Sequence, residues 1–243
     1  MKKTFIKLAP VAVILPSILA ISIPAFAAAS TKRPSAAKML GIAIQSGSKM
    51  NSVHYESYDH LGQVTISENG YVGRSKGYIL SDYKDGKSTG SSEEIFLSGK
   101  LFLKANSYTL VNFFGFKKKG AGKYGNKWIS IPKSDVTYVN LTASLTIAGQ
   151  MQQIKIPGKI TYLKNSRLNG RAVTGIVGHP TSVGGLKETE TLYINPSGNH
   201  LPIKATLSQG KNAEAYVSFI KWNPFVDVNL PKNSTPISKT GLE

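Results

Sequence analysis

From Ser52 onward the chain alternates in character with nearly every residue. VHYESYD, QVTISENG, YVGRSKGYIL, SEEIFLSG and KLFLKA follow in close succession. After residue 158 the pattern resumes in KITYLK, RAVTGIVG, KETETLYI, LPIKATL and EAYVSFIKW. Val64 and Ile66 alternate with Gln63, Thr65 and Ser67, which is the period of a half-buried strand. Asn69-Gly70, Ser98-Gly99, Asn169-Gly170 and Asn195-Pro196-Ser197-Gly198 supply turn signals. Parallel strands need crossovers of about a dozen residues or more, and these gaps are too short. The sheet is therefore antiparallel and long. No repeat or linker divides it, so residues 28–231 read as one domain, closed by VDVNLP. The polar segment 232–243 reads as a disordered tail.

Helical periods enter at three places, which makes the fold class α+β. Ser35 caps a helix over residues 35–50, with Ala36, Leu40, Ala43 and Gly47 on one face, widened by Met39 and Ile44. A short helix starts at Ser107 and ends at Gly115 and the lysines. Segment 134–153 fits two patterns. Val139, Leu141, Ala143, Leu145 and Ile147 alternate as in a strand, whereas Tyr138, Leu141, Leu145 and Ala148 share a helix face, with Ser134 as its cap.

The N-terminus reads as an address. Lys2, Lys3 and Lys7 precede an apolar run from Leu8 to Ile23, and Ala25-Phe26-Ala27 is a small-x-small cleavage site. Residues 1–27 are the expected signal peptide, and the mature protein is expected outside the cytoplasm, in the periplasm, cell envelope or medium. The net charge is +17, from 30 basic and 13 acidic residues. Such a surface favours anionic partners, and export makes nucleic acid the least suited of them. The chain has no cysteine. Packing alone must hold the fold, and thiol catalysis and cysteine-ligated zinc are excluded.

The motifs that carry chemistry elsewhere lack their context here. Gly120 to Gly125, GAGKYG, matches G-x-G-x-x-G, but a strand follows instead of a helix and no acid stands about 20 residues on. It reads as a glycine-rich surface loop. Gly73-Arg74-Ser75-Lys76-Gly77 matches G-x-S-x-G, yet strand-like residues follow the serine. His54, Glu56, Asp59 and His60 lie close in sequence without metal-ligand spacing. His179 and His200 receive no role. No acid spacing points to a hydrolase pair. No catalytic residue, metal or cofactor is expected.

Residues 112–128, NFFGFKKKGAGKYGNKW, set Phe113, Phe114 and Phe116 against Lys117, Lys118, Lys119, Lys123 and Lys127. One reading is an apolar tip among acyl chains with lysines on anionic headgroups. The other is core phenylalanines beside a solvated cationic loop.

Gly125-Asn126-Lys127-Trp128 with its following strand, LYINPSGNHLPIKATL and FIKWNPFVDVNLP resemble three segments of the LppX/LprAFG lipoproteins. Element order is also similar over nearly the whole mature chain. The resemblance implies the fold of the LolA/LolB carriers: a curved antiparallel half-barrel with about three helices over its concave face, 134–153 among them. It implies an apolar cavity between sheet and helices, a lipid or lipidated molecule as partner, and no enzymatic activity. Candidate lining residues are Ile95, Leu97, Leu101 and Leu103 on one strand face, with Leu141 and Leu145 opposite. Phe113, Phe114 and Phe116 would stand at its mouth, ringed by the five lysines facing an anionic membrane. Family members carry a lipobox cysteine. Here Ala27-Ala28-Ala29 stands in its place, so no acyl tether is expected. A monomeric carrier or sensor of lipids is the first expectation. A basic structural or adhesive protein on anionic wall polymer is the alternative.

Overall fold

Ser35 begins the first helix as its chemistry requires. Its side chain accepts a hydrogen bond from Lys38 N at 3.2 Å, and α1 runs over Ala36–Lys49. Ala36, Met39, Leu40, Ala43 and Gly47 are its buried positions. The computed structural model describes residues 33–154, 156, 158–179, 188–210 and 213–240. The leader at 1–27 lies outside these, and residues 34–243 belong to one compact unit.

Five strands follow: β1 (Ser52–Leu61), β2 (Val64–Gly73), β3 (Lys76–Asp85), β4 (Ser88–Leu97) and β5 (Lys100–Ala105). Next come α2 (Ser107–Asn112), α3 (Lys118–Tyr124), β6 (Ile129–Ile131), α4 (Val136–Ser144), α5 (Ile147–Gln153) and β7 (Ile160–Tyr162). A small hairpin pairs β8 (Arg167–Leu168) with β9 (Arg171–Ala172) around Asn169-Gly170. The chain continues through β10 (Thr174–Gly178), β11 (Glu188–Ile194), β12 (Pro202–Gln209), β13 (Ala213–Trp222) and β14 (Thr235–Pro236).

Twelve strands form one curved, unclosed sheet in the order β14-β6-β5-β4-β3-β2-β1-β13-β12-β11-β10-β7. Every pair in it is antiparallel except β14 with β6. Among the described residues there are five α-helices, not about three. The helices pack on one face. Ala43, Leu110, Ala121, Ile147 and Met151 join Val53, Val72, Ile79, Phe96, Leu103 and Ile129 of that inner face in a single apolar core.

The structure corrects several sequence expectations. Asn69-Gly70 is no turn: both residues lie within β2, and the chain reverses at Gly62-Gln63 and at Arg74-Ser75. A β-carbon on Gly70 would run into the buried ring of Tyr55, so glycine is there to admit that ring. The short helix expected from Ser107 is α2, which ends at Asn112, before Gly115, and GAGKYG, expected as a loop, lies largely within a further helix, α3. Segment 134–153 is also two, α4 capped by Asp135 rather than Ser134 and α5 capped by Thr146. Residues 232–240 are not a loose tail. Thr235 and Pro236 pair with Ile129 and Ser130, and Ile237 is buried. VDVNLP forms no strand.

The Ser98-Gly99 turn does exist, with both residues at positive φ, yet its consequence differs from the expectation. A two-residue turn pairs Leu97 with Lys100, Phe96 with Leu101 and Glu94 with Leu103. Leu101 and Leu103 thus share the inner face with Phe96 and Glu94, while Ile95 and Leu97 point to the outer face.

Candidate functional site

Antiparallel pairing lines up residues from strands that are distant in sequence. Ser57 stands opposite Glu68, Glu68 opposite Ser81 and Ser81 opposite Ser92. One row along, Tyr55 faces Gly70, Ile79 faces Glu94 and Glu94 faces Leu103. A polar band therefore crosses the inner face from β1 to β4, in the middle of an apolar surface.

Its centre is acidic. Ser57 Oγ donates to Glu68 Oε2 at 2.9 Å and Tyr55 Oη donates to the same oxygen at 3.5 Å. Ser92 Oγ donates to Glu94 Oε1 at 3.0 Å, and Tyr83 Oη lies 3.1 Å from Ser92 Oγ. Glu94 is 4% exposed. Burial pushes its carboxyl up to about 7, and the neighbouring charge of Glu68 adds to the rise. Burial likewise raises Glu68. The phenol of Tyr83 is pushed up to about 12 by burial and then by Glu94. That of Tyr55 is raised well above its ordinary value, by burial and then by Glu68 and Glu94. Among the described residues neither glutamate has a lysine, arginine or histidine at ion-pair distance. Ser81 Oγ, beside Glu68, is buried without a hydrogen-bond partner.

Next to this band the sheet and α5 separate. A cavity of about 450 Å³, half open to solvent, lies between them. That exceeds the ~300 Å³ lower end of ordinary ligand sites. Ser57, Ile66 and Glu68 wall it on one side, Ala205, Leu207, Ala215 and Val217 on the other. Gln150 and Gln153 of α5, with Ile154 and Ile156 after it, wall the side facing the sheet. Small side chains make the room, since Ala205 pairs with Val217 and Ala215 with Leu207 on the same face. Thr146 positions α5 by accepting from Gly149 N at 3.2 Å, and Ile147 and Met151 anchor it in the core.

None of the lining residues read from sequence borders this cavity. Leu101, Leu103 and Leu145 are core, Leu141 is half-buried against it, and Ile95 is buried on the outer face with Leu97 half-buried beside it. Phe116 is 6% exposed in the core and Phe114 packs against it. Phe113 lies 4.4 Å from the Tyr83 ring, centroid to centroid. The phenylalanines are thus packing residues and not a protruding knob. Lys117, Lys118, Lys119, Lys123 and Lys127 are exposed. Lys123 and Lys127 lie 5.2 and 5.9 Å from the Tyr124 ring centroid. Lys118, Lys119 and Lys123 lie on α3 and the other two flank it; α3 sits beside α2, whereas the cavity spans β2 to β11 in the strand order.

The acids are what sequence reading missed. Glu68 is in phase with Ile66, Gly70 and Val72, and Glu94 is in phase with Phe96. Each therefore sits at an inward position of its strand, a signal that the misplaced turn at Asn69-Gly70 concealed for Glu68. Among the described residues no three His, Cys, Asp or Glu side chains gather as metal ligands. His54 instead stacks on Tyr71 at 4.1 Å. No helix among the described residues is long and apolar enough to cross a membrane.

Comparison with known proteins agrees with this geometry. No family model and no curated protein matches the sequence. Solved structures do match by fold. LprF from Mycobacterium bovis is 13% identical, with a TM-score of 0.52 over 81% of this chain and 96% of LprF. The Mycobacterium tuberculosis lipoprotein LppX is also 13% identical, with a TM-score of 0.50 over 80% of this chain and 98% of LppX. The protein therefore has the fold of the LprF and LppX lipoproteins: an unclosed, curved antiparallel sheet with helices across its inner face.

Proposed function

We propose that this is an exported, non-enzymatic envelope protein that holds the acyl chain of a lipid or lipidated molecule in the cavity between its sheet and α5. The observation that carries the reading is the cavity itself. It is half open, its wall sets Ile66, Leu207, Val217, Ala205 and Ala215 beside polar groups such as Ser57, Glu68 and Gln150, and it is built where two alanines face larger partners. Burying an alkyl chain there gains about 0.8 kcal/mol per methylene, enough for useful affinity from a single chain. The fold shared with LprF and LppX supports the reading, as does the signal-like leader. Without a lipobox cysteine the protein is a soluble carrier or sensor and not an acylated one. The exposed lysines on and around α3 supply attraction to anionic headgroups.

A neutral polarity-sensitive dye carrying one dodecanoyl chain tests this directly. The wild-type protein should bind it with a blue-shifted emission. Ala205→Trp and Val217→Trp fill the cavity from the sheet side and should weaken binding about tenfold or more, while the thermal midpoint moves little because the indole enters open space. Unchanged dye binding in both variants would remove the cavity from the function.

A further inference from the structure

We propose that the cavity selects amphiphiles whose polar end is a protonated amine. This rests on the acyl-binding reading and adds the chemistry of the headgroup.

The argument starts from an inversion of charge. The chain carries 30 basic and 13 acidic residues, so its surface as a whole attracts anions. The cavity wall is the opposite. Asp59, Glu68 and Glu190 line it, and among the described residues no lysine, arginine or histidine does. Asp59, Glu68 and Glu94 also form a graded series along the inner face: exposed, half-buried and fully buried. A cation entering the cavity meets Asp59 where the wall is exposed and Glu68 where it is half-buried. An anionic headgroup would be repelled by the same groups, at an effective dielectric well below that of water.

Hydrogen bonding points the same way. Ser57 and Tyr55 both donate to Glu68 Oε2. Oε1 has no protein donor among the described residues, and Glu68 lines the cavity. A carboxylate in an apolar wall is costly unless it is paired. An ammonium offers three donors and a full charge, and with an alkylamine pKa near ~10.4 it stays protonated at neutral pH. It can donate to Glu68 Oε1 with Asp59 nearby, while its chain runs along Ile66, Val217 and Leu207.

The test is displacement of the dodecanoyl dye by chain-matched competitors below their micelle concentrations: dodecylammonium, dodecanol, dodecyl maltoside and dodecanoate. Dodecylammonium should displace the dye at about one-tenth the concentration of dodecanol, and dodecanoate should be the weakest. Nonspecific attraction to a protein of charge +17 would give the reverse order, so the preference can arise only locally. Glu68→Gln keeps an acceptor for Ser57 and Tyr55 and should bring the ratio of dodecylammonium to dodecanol affinity down to about one. Asp59→Asn, at an exposed position with no packing role, should reduce the preference by about half or more. A dodecanoate or maltoside affinity equal to that of dodecylammonium would overturn the proposal. So would a preference that survives both variants. If dodecanol displaces the dye and dodecylammonium does no better, acyl binding stands and the amine selectivity falls. If no competitor displaces it, both fall.

Discussion

Glu94 is the residue whose chemistry is most constrained by its surroundings. It is 4% exposed, accepts from Ser92, and stands near Glu68, with no base among the described residues at ion-pair distance from either. Its folded-state value near 7 lies above the free value of 4.5, so folding takes up a proton. The stabilisation is complete below about pH 4.5 and is lost as the pH rises through 7. At about 1.4 kcal/mol per pH unit of separation, the loss comes to about 3 kcal/mol. Thermal midpoints of the wild-type protein should therefore fall between pH 5 and pH 8, by roughly 6–12 °C for a domain of this size. Glu94→Gln keeps the Ser92 hydrogen bond and removes the titration, so most of that fall should disappear. Identical profiles for the two proteins would show that Glu94 ionises freely where it stands.

At the scale of elements, the packing of residues 113–127 separates two roles that sit side by side in sequence. Phe116 is core, and truncating it to alanine should cost about 3–5 kcal/mol, lowering the thermal midpoint by about 10 °C. Lys117, Lys118 and Lys119 are exposed at the start of α3. Changing all three to glutamine should leave the midpoint alone and weaken binding to anionic vesicles, most strongly at low salt. Stable Phe116→Ala protein would return the phenylalanines to the surface. Vesicle binding unaltered by the lysine changes would remove α3 from membrane contact. These elements also show which parts of the fold are legible from sequence. The cap at Ser35, the buried face of α1 and the turn at Ser98-Gly99 are local, and local chemistry decides them. Gly70 is not local. It is glycine because the Tyr55 ring lies across it, a contact that exists only once β1 and β2 are paired. The break between α4 and α5 is likewise tertiary: the Leu145 carbonyl packs so close to Gly77 of β3 that a β-carbon there would strike it. The buried Ile237 in the polar C-terminal segment depends on β14 finding β6.

At the scale of the whole molecule, the cavity is the least legible feature. Its walls come from β1, β2, β11, β12, β13 and α5, and the β1–β13 pairing joins strands from opposite ends of the domain. No window of sequence contains it. The resemblance to LppX and LprAFG lipoproteins leads to the correct fold and to a cavity between sheet and helices, but the residues first expected to line it lie on β4, on β5 and on or directly after α4 instead. The reason is geometric. Large inward side chains such as Leu101, Leu103 and Phe96 fill the β4–β5 half of the sheet, where Phe96 meets Tyr138 of α4, whereas Ala205 and Ala215 leave the other half open. Space follows from the absence of bulk, and a hydrophobic pattern marks bulk.

Acyl binding in that space is the central claim, and native mass spectrometry of the protein purified from its own cells, without detergent, tests it most directly. A bound amphiphile of defined mass should appear on the wild-type protein, be released by collisional activation, and be missing from Ala205→Trp protein prepared in the same way. A wild-type spectrum showing only the bare chain, or the same adduct on the filled variant, would contradict it.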